Sequence, residues 1–301
     1  MGLNFNSISF IKSYDQIIPI KKGWSFDEKY MIVKEDDSKY LLRIAAIDSY
    51  ETKKLEFKYL SKLKDSGLNI SLPLEMGIFN EGRSTYTIYT WIEGEDANLL
   101  IPKLPPNEQY NLGLEAGKIL KTIQSVPIDE VLEPWDKRYT KKILKKIDDY
   151  NKCGLKLPNG HIPIQYLHDN INLLKDRPNS FLHGDFHIGN MVFDGEKIGI
   201  IDFNRFDFGD PYEDFNRMFF SADLSSHFST GIINGYFNSD IPDDFFPLLA
   251  LYTALNEISS LPWSKQFGQE EIDNSYRISS KILSWYNNYL NVTPAWYMEE
   301  L

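Results

Sequence analysis

The stretch from Phe181 to Phe193 constrains this chain more than any other. It reads Phe-Leu-His-Gly-Asp-Phe-His-Ile-Gly-Asn-Met-Val-Phe, with Asn190 five residues after Asp185. Twelve residues beyond Asn190 stands Asp202, inside Ile200-Ile-Asp-Phe203. Between them Asp194-Gly195 offers a tight turn joining two short strands, Met191–Phe193 and Lys197–Ile201. A loop carrying Asp185 and Asn190, beside a hairpin carrying Asp202, is expected to bring three oxygen-bearing side chains together.

Such a set suits phosphoryl transfer, which needs a carboxylate beside the attacking hydroxyl and a metal clamp on the phosphates. Asn190 offers a neutral amide oxygen and Asp202 a charged one. Both suit Mg²⁺, a hard cation that keeps several waters and takes few protein ligands. Asp185 is then left to orient the hydroxyl and accept its proton. A second chemistry stays open, because His183, Asp185 and His187 alternate and histidines with carboxylates bind zinc or iron in metallohydrolases.

The rest of the chain is organised around this stretch in two parts. Tyr30–Lys34 and Tyr40–Ile44 flank the acidic turn Asp36-Asp37-Ser38, a hairpin signal. A helix is predicted over 49–66, with Leu55, Tyr59 and Leu63 on one stripe and Gly67 at the stop. Two further strands are predicted at Leu74–Phe79 and Ser84–Trp91. After Glu93-Gly94-Glu95 the pattern turns helical over 107–125, 136–151 and 163–176, with strands and loops at 181–203 and mostly helix from Tyr212 onward. The expected fold is α+β with two lobes, a small antiparallel-sheet lobe over 1–92 and a larger, mainly helical lobe over 93–301.

Composition bounds the partners. The net charge of −11 and pI near 5.0 argue against a nucleic-acid partner, which needs a basic footprint. They are compatible with a cationic small molecule, or with solubility alone. Cys153 is the only cysteine, so no intrachain disulfide forms and a cytoplasmic setting is expected. Met1–Ile20 lacks the apolar core of a signal peptide, and no stretch has the roughly 18 apolar residues of a membrane span.

The central stretch resembles the catalytic and metal-binding loops of the aminoglycoside phosphotransferase family, distant relatives of protein kinases and choline kinases. His183, Gly184, Asp185, His187, Asn190, Ile201, Asp202 and Phe203 match its pattern, and Gly209, Asp210, Pro211 and Asp214 match the segment that follows. The resemblance implies a protein-kinase-like fold: a nucleotide-binding lobe, then a catalytic and substrate-binding lobe. It implies ATP or GTP and Mg²⁺ as cofactors, Asp185 as base, and Asn190 and Asp202 as metal ligands. His183 is expected to hold the loop, and His187 to pack within it.

On the nucleotide side, Arg43 stands where the family commonly has lysine. It keeps the charge but presents a broader fork. Glu56 is the expected glutamate partner, with Glu51 as alternative. Main-chain amides near Gly23 and Ser25 are candidates to face phosphates. Trp91 and Ile92 resemble the hinge whose backbone pairs with the base edge. Candidate acceptor residues are Asn204, Asp207, Glu213, Asn216, Arg217, Glu257 and Trp263, carboxylates and an aromatic suited to a hydroxylated cation. Asp207, Asp210 and Asp214 have a plainer reading as caps or turn stabilisers, and Trp285, Tyr286, Tyr289 and Trp296 as core. The activity implied is an O-phosphotransferase acting on a polyol, an amino sugar or an aminoglycoside antibiotic. An inactive nucleotide-binding relative is the competing reading, for which Arg43 is the support.

Overall fold

Strand alternation separates two faces of one sheet. In the strand Lys39–Ala46 (β3), Leu42 and Ile44 point to one side and Arg43 to the other, as a period of two requires. Its partner Ser84–Thr90 (β5) sets Ile88 opposite Leu42, Tyr86 opposite Ile44, and Thr87 opposite Arg43. With Gln16–Ile20 (β1), Glu28–Val33 (β2) and Pro73–Phe79 (β4), they form an antiparallel sheet in the order β1-β2-β3-β5-β4. Pro19 sits in β1, at the sheet edge, where a missing N–H is tolerated. The Leu42 face closes over Ile8, Ile11, Ile32 and Phe79. The other face receives the helix Tyr50–Ser61 (α1), whose Glu56 meets Tyr89. This is a computed structural model, and it describes residues 5–13, 15–21 and 27–299.

By its internal contacts the chain forms two units. One comprises Met1–Glu95 with Val192–Asn204, the other Asp96–Met191 with Arg205–Leu301. The segment 192–204 thus groups with the sheet, whereas the sequence division at residue 92 leaves it in the second lobe. It holds most of a hairpin of Met191–Phe193 (β8) and Ile198–Ile200 (β9), turning at Asp194-Gly195 with Gly195 at φ +104°. The Asp194 carboxylate accepts from the amides of Glu196 (2.9 Å) and Lys197 (2.8 Å). Ile200 bridges to Ile70 within the first unit.

The second unit is mainly helical. After a two-residue strand, Glu95–Asp96 (β6), come Ala97–Leu100 (α2), Pro106–Gln124 (α3), Trp135–Lys152 (α4) and His161–Asn170 (α5). Ser180–Leu182 (β7) pairs with Asp207–Gly209 (β10), and Met218–Leu224 (α6), Ser226–Phe237 (α7), Phe245–Ser264 (α8) and Gln269–Trp285 (α9) complete it. Helix α8 is the central member, burying Leu248, Leu251, Leu255, Ile258 and Leu261. Helices α3 and α7 meet along glycines: a Cβ added at Gly117 would overlap the Ile232 carbonyl, and one at Gly231 the Tyr110 carbonyl. Tyr286, Tyr289 and Trp296 are buried in the interior. The fold is α+β, with a small antiparallel sheet and a larger helical part. Among the described residues no helix is long and apolar enough to cross a membrane.

Two helices are shorter than their sequence pattern suggests. Helix α1 ends at Ser61 and the chain turns through Lys62–Ser66 to Gly67 at φ +72°, so the apolar stripe outlasts the helix. The segment predicted helical over 163–176 is α5 followed by a 3₁₀ turn at Ile171–Leu174.

Candidate functional site

The loop after β7 places Asp185. Gly184 has φ +78°, and a Cβ there would overlap the Arg205 carbonyl, so glycine is required on both counts. The Asp214 carboxylate gathers the loop from below, accepting the amides of Gly184 (2.6 Å) and His183 (2.9 Å) and the Gln124 side chain (2.8 Å). Burial raises Asp214 to about 7 despite these hydrogen bonds. His183 is fully buried, and its Nδ1 accepts the Asp185 amide at 3.2 Å. Asn190 donates its amide nitrogen to the Asp185 carbonyl at 2.8 Å, which leaves its amide oxygen as the group it can offer a ligand.

The Asp185 carboxylate is 16% exposed. Arg217 contacts Oδ1, His187 Nε2 lies 3.4 Å from the same oxygen, and Arg205 Nε lies 3.6 Å from Oδ2. His187 Nδ1 accepts the Gly189 amide, so the proton of a neutral ring sits on Nε2, toward Asp185. Burial works to raise the Asp185 carboxyl. The His187 hydrogen bond and the charges of Arg217 and Arg205 outweigh it and hold the group well below the usual carboxylate range.

The first unit carries the second polar cluster. Arg43, 4% exposed, donates to Asp202 Oδ1 at 2.6 Å and lies 3.2–3.3 Å from Asp27. Burial opposes its charge, and Asp202, with Tyr89 and Asp27, sustains it. Asp202 has φ +68°, a left-handed conformation that Asp adopts more readily than most non-glycine residues. Glu56 is not the partner of Arg43 as expected. It is held by the Tyr89 hydroxyl at 2.7 Å and by Lys53 Nζ at 3.4 Å. Lys53, 7% exposed, also meets Asp27 at 3.0 Å and contacts Asn204. Burial raises the Glu56 carboxyl, with Lys53, Tyr89 and Arg43 opposing.

Lys53 was legible as an i,i+3 partner of Glu56 on the inward face of α1. Sequence reasoning passed over it because the lysine is sought on β3. Glu51 is exposed. Trp91 and Ile92 follow β5, and their backbone groups make no hydrogen bond within the described residues. Gly23 and Ser25 lie outside those residues.

Several acceptor candidates have other duties. Asn204 belongs to the first unit and contacts Lys53. Asp207 pairs with Arg138 at 3.0 Å. Glu213 is buried against Lys142 at 2.8 Å, Asn216 at 3.0 Å and Tyr139 at 3.4 Å. Glu257 is 1% exposed and lies in the core, bonded to Ser279 (2.7 Å) and Tyr289 (2.8 Å). Arg217 is the one of the seven that touches Asp185. Asp210, which reads as a turn stabiliser, caps the turn after it and pairs with Arg177 at 2.7 Å.

A family model for the phosphotransferase enzyme family (APH) matches residues 16–247. The chain belongs to this family, and is a small-molecule phosphotransferase with an alcohol group as acceptor. Among solved structures it is similar to the GDP complex of wild-type aminoglycoside 2'-phosphotransferase-IIIa, at 15% identity over 93% of this chain and 96% of that one, with a TM-score of 0.68. It is similar to amicoumacin kinase hAmiN in complex with AMP-PNP, Ca²⁺ and Ami, at 15% identity over 93% and 90% and a TM-score of 0.66. A thermostable mutant of aminoglycoside phosphotransferase APH(4)-Ia, in ternary complex with AMP-PNP and hygromycin B, shares 17% identity over 89% and 93%, with a TM-score of 0.65. At these identities the likeness is one of fold. No curated protein sequence matches the chain.

Proposed function

We propose that this chain moves the terminal phosphoryl group of ATP or GTP to a hydroxyl of a small molecule, with Asp185 receiving that hydroxyl. One observation carries the reading: Asp185 is a nearly buried carboxylate that the surrounding cations keep ionised. The acceptor hydroxyl donates to it, the oxygen attacks the terminal phosphorus, and the bond to the nucleoside diphosphate breaks. The proton passes to Asp185 as the new ester forms. A carboxylate held this far down is a weak base, so its work is to orient the hydroxyl and take the proton late, as a loose transition state allows.

Asn190, through its amide oxygen, and Asp202, through its carboxylate, would hold Mg²⁺; these hard oxygen donors fit that ion. When bound, the ion neutralises charge on the phosphates. Arg43 would meet phosphate oxygens, Lys53 would fix Glu56 and Asn204, and the Trp91–Ile92 backbone would pair with the base edge. The solved structures with AMP-PNP and GDP support nucleotide binding. The finer expectation of a cationic acceptor, such as an aminoglycoside in the cytoplasm, is supported by the net charge and by the ligand of a neighbour of like fold. Yet Asp207, Glu213 and Glu257, the carboxylates expected to receive it, are engaged within the protein.

The test is Asp185→Asn. It should lower kcat by about 10²–10⁴-fold while leaving the nucleotide dissociation constant unchanged. Full turnover in the purified variant would remove Asp185 from the reaction.

A further inference from the structure

One edge of the Arg43 guanidinium is taken by Asp27, which stands just before β2. Lys29 pairs with Arg43 across β2 and β3, so Asp27, two residues earlier, falls on the Arg43 side of the sheet. Its Oδ2 lies 3.3 Å from Arg43 Nε and 3.2 Å from Arg43 Nη2. Lys53 Nζ, from α1, reaches the same oxygen at 3.0 Å. Three nitrogen donors on two buried cations thus converge on one oxygen.

The same two cations are engaged on their other sides. Arg43 Nη1 donates to Asp202 at 2.6 Å, and Lys53 meets Glu56 at 3.4 Å. Among the described residues, two cations therefore meet three carboxylates, Asp27, Asp202 and Glu56. Asp202 and Glu56 match Arg43 and Lys53 in number, which leaves Asp27 as a surplus negative charge. The Nε–Nη2 edge of an arginine is a fork that fits phosphate as well as carboxylate, and an ammonium beside it adds a third donor. A phosphate oxygen and Asp27 Oδ2 are thus alternative acceptors for one set of donors. Both cannot hold it, because two like charges would share a desolvated site.

We propose that Arg43 and Lys53 together seat a phosphate group of the nucleotide, and that Asp27 competes for that seat and leaves both cations when the phosphate binds. Lys53 then acts on the nucleotide directly, besides holding Glu56. Asp27 sets the affinity, because binding is weakened by the fraction of molecules in which the carboxylate fills the seat. This rests on the nucleotide-dependent reading above and adds Lys53 and Asp27 to its binding residues.

The test is a binding measurement and does not depend on turnover. Dissociation constants are determined by calorimetry on the full chain with Mg²⁺, for ATP and GTP and for adenosine and guanosine as phosphate-free controls. Asp27→Asn keeps the shape of the side chain and removes its charge. It should bind the triphosphate about tenfold more tightly than the wild type, with nucleoside affinity unchanged. Asp27→Ser should show the same gain with a smaller side chain, so the result does not hang on one variant. Asp27→Glu, which keeps the charge, should show none. Adding Lys53→Gln to Asp27→Asn should remove most of the gain.

Triphosphate affinity that is unchanged or weaker in Asp27→Asn and Asp27→Ser would mean that Asp27 organises the two cations instead of competing for them. That result overturns the proposal and leaves the phosphotransfer reading intact. A gain shared by the nucleosides would place the effect at the base or ribose, and an undiminished gain with Lys53→Gln would take Lys53 out of the seat; either overturns it as well. Failure of the wild type and all variants to bind ATP or GTP removes the nucleotide-dependent reading itself, and this proposal with it.

Discussion

Lys53 occupies a position where charge and burial oppose each other. Its ammonium is 7% exposed and touches Asp27, Glu56 and Asn204. Removing one partner of a buried pair costs more than removing both, because the survivor keeps its desolvation penalty without compensation. Lys53→Met should therefore destabilise the protein by about 3–5 kcal/mol in a denaturant titration, and adding Glu56→Gln should recover part of that loss. If Asn204 and Glu56 are set by Lys53, the single variant also raises nucleotide KM. A double variant no more stable than Lys53→Met would show that the pair is not coupled. Asp185 represents the reverse balance, since its partners more than offset its burial and keep it ionised across the working range.

At the scale of elements, two contacts make opposite demands. The α3–α7 seam admits no side chain, because backbone atoms of each helix lie where the other's Cβ would be. Alanine is the better helix former by about 1 kcal/mol, so propensity alone predicts that Gly117→Ala stabilises. Overlap with the Ile232 carbonyl is the larger effect, and we expect a net loss of about 1–3 kcal/mol. An unchanged or raised melting temperature would mean that the helices separate freely.

Between α8 and α9, Glu257 is the opposite case, a polar group buried with hydroxyls to satisfy it. Burial raises it from 4.5 to about 7, against the Ser279 and Tyr289 hydrogen bonds. Between those values the folded protein keeps a proton that the unfolded chain has released. Its contribution is therefore full below pH 4.5 and is lost as pH rises to about 7. The loss is about 3 kcal/mol. Asp214 shifts in the same direction, so the informative quantity is a difference. Stability of the wild type minus that of Glu257→Gln should fall across this window. A flat difference would mean that Glu257 titrates normally.

At the scale of the molecule, what was legible in the sequence is what repeats with a fixed period or spacing. Two short apolar runs about the turn Asp36-Asp37-Ser38 marked the β2–β3 hairpin, and the Asp185–Asn190–Asp202 spacing carried the resemblance that the family match upholds. The Lys53–Glu56 spacing of three was legible too, but that Asp27 and Asn204 join Lys53 was not, because it depends on which side chains remote in sequence are buried together. The engagements of three acceptor candidates were hidden for a related reason. Asp207, Glu213 and Glu257 are of the right type for a cationic ligand, but their use is fixed by Arg138, Lys142 and Ser279, remote in sequence. Gly209 matches the family's segment by its identity, and the structure adds the reason for glycine there: a Cβ would overlap the Trp135 ring.

The segment 192–204 belongs to the unit that begins the chain but is separated from it by the whole stretch 96–191. It is attached there by hydrogen bonds from the Ser71 amide to the Ile200 carbonyl (3.1 Å) and from the Ile200 amide to the Asn69 carbonyl (2.9 Å). During synthesis at roughly 5–20 residues per second, the sheet emerges first and then waits about 5–20 s for these partners. Over that interval the edge at Asn69–Ser71 is unpaired and Arg43 lacks the Asp202 carboxylate. The unit that is translated first is therefore completed late, and a nascent chain paused before residue 192 offers that edge to other chains.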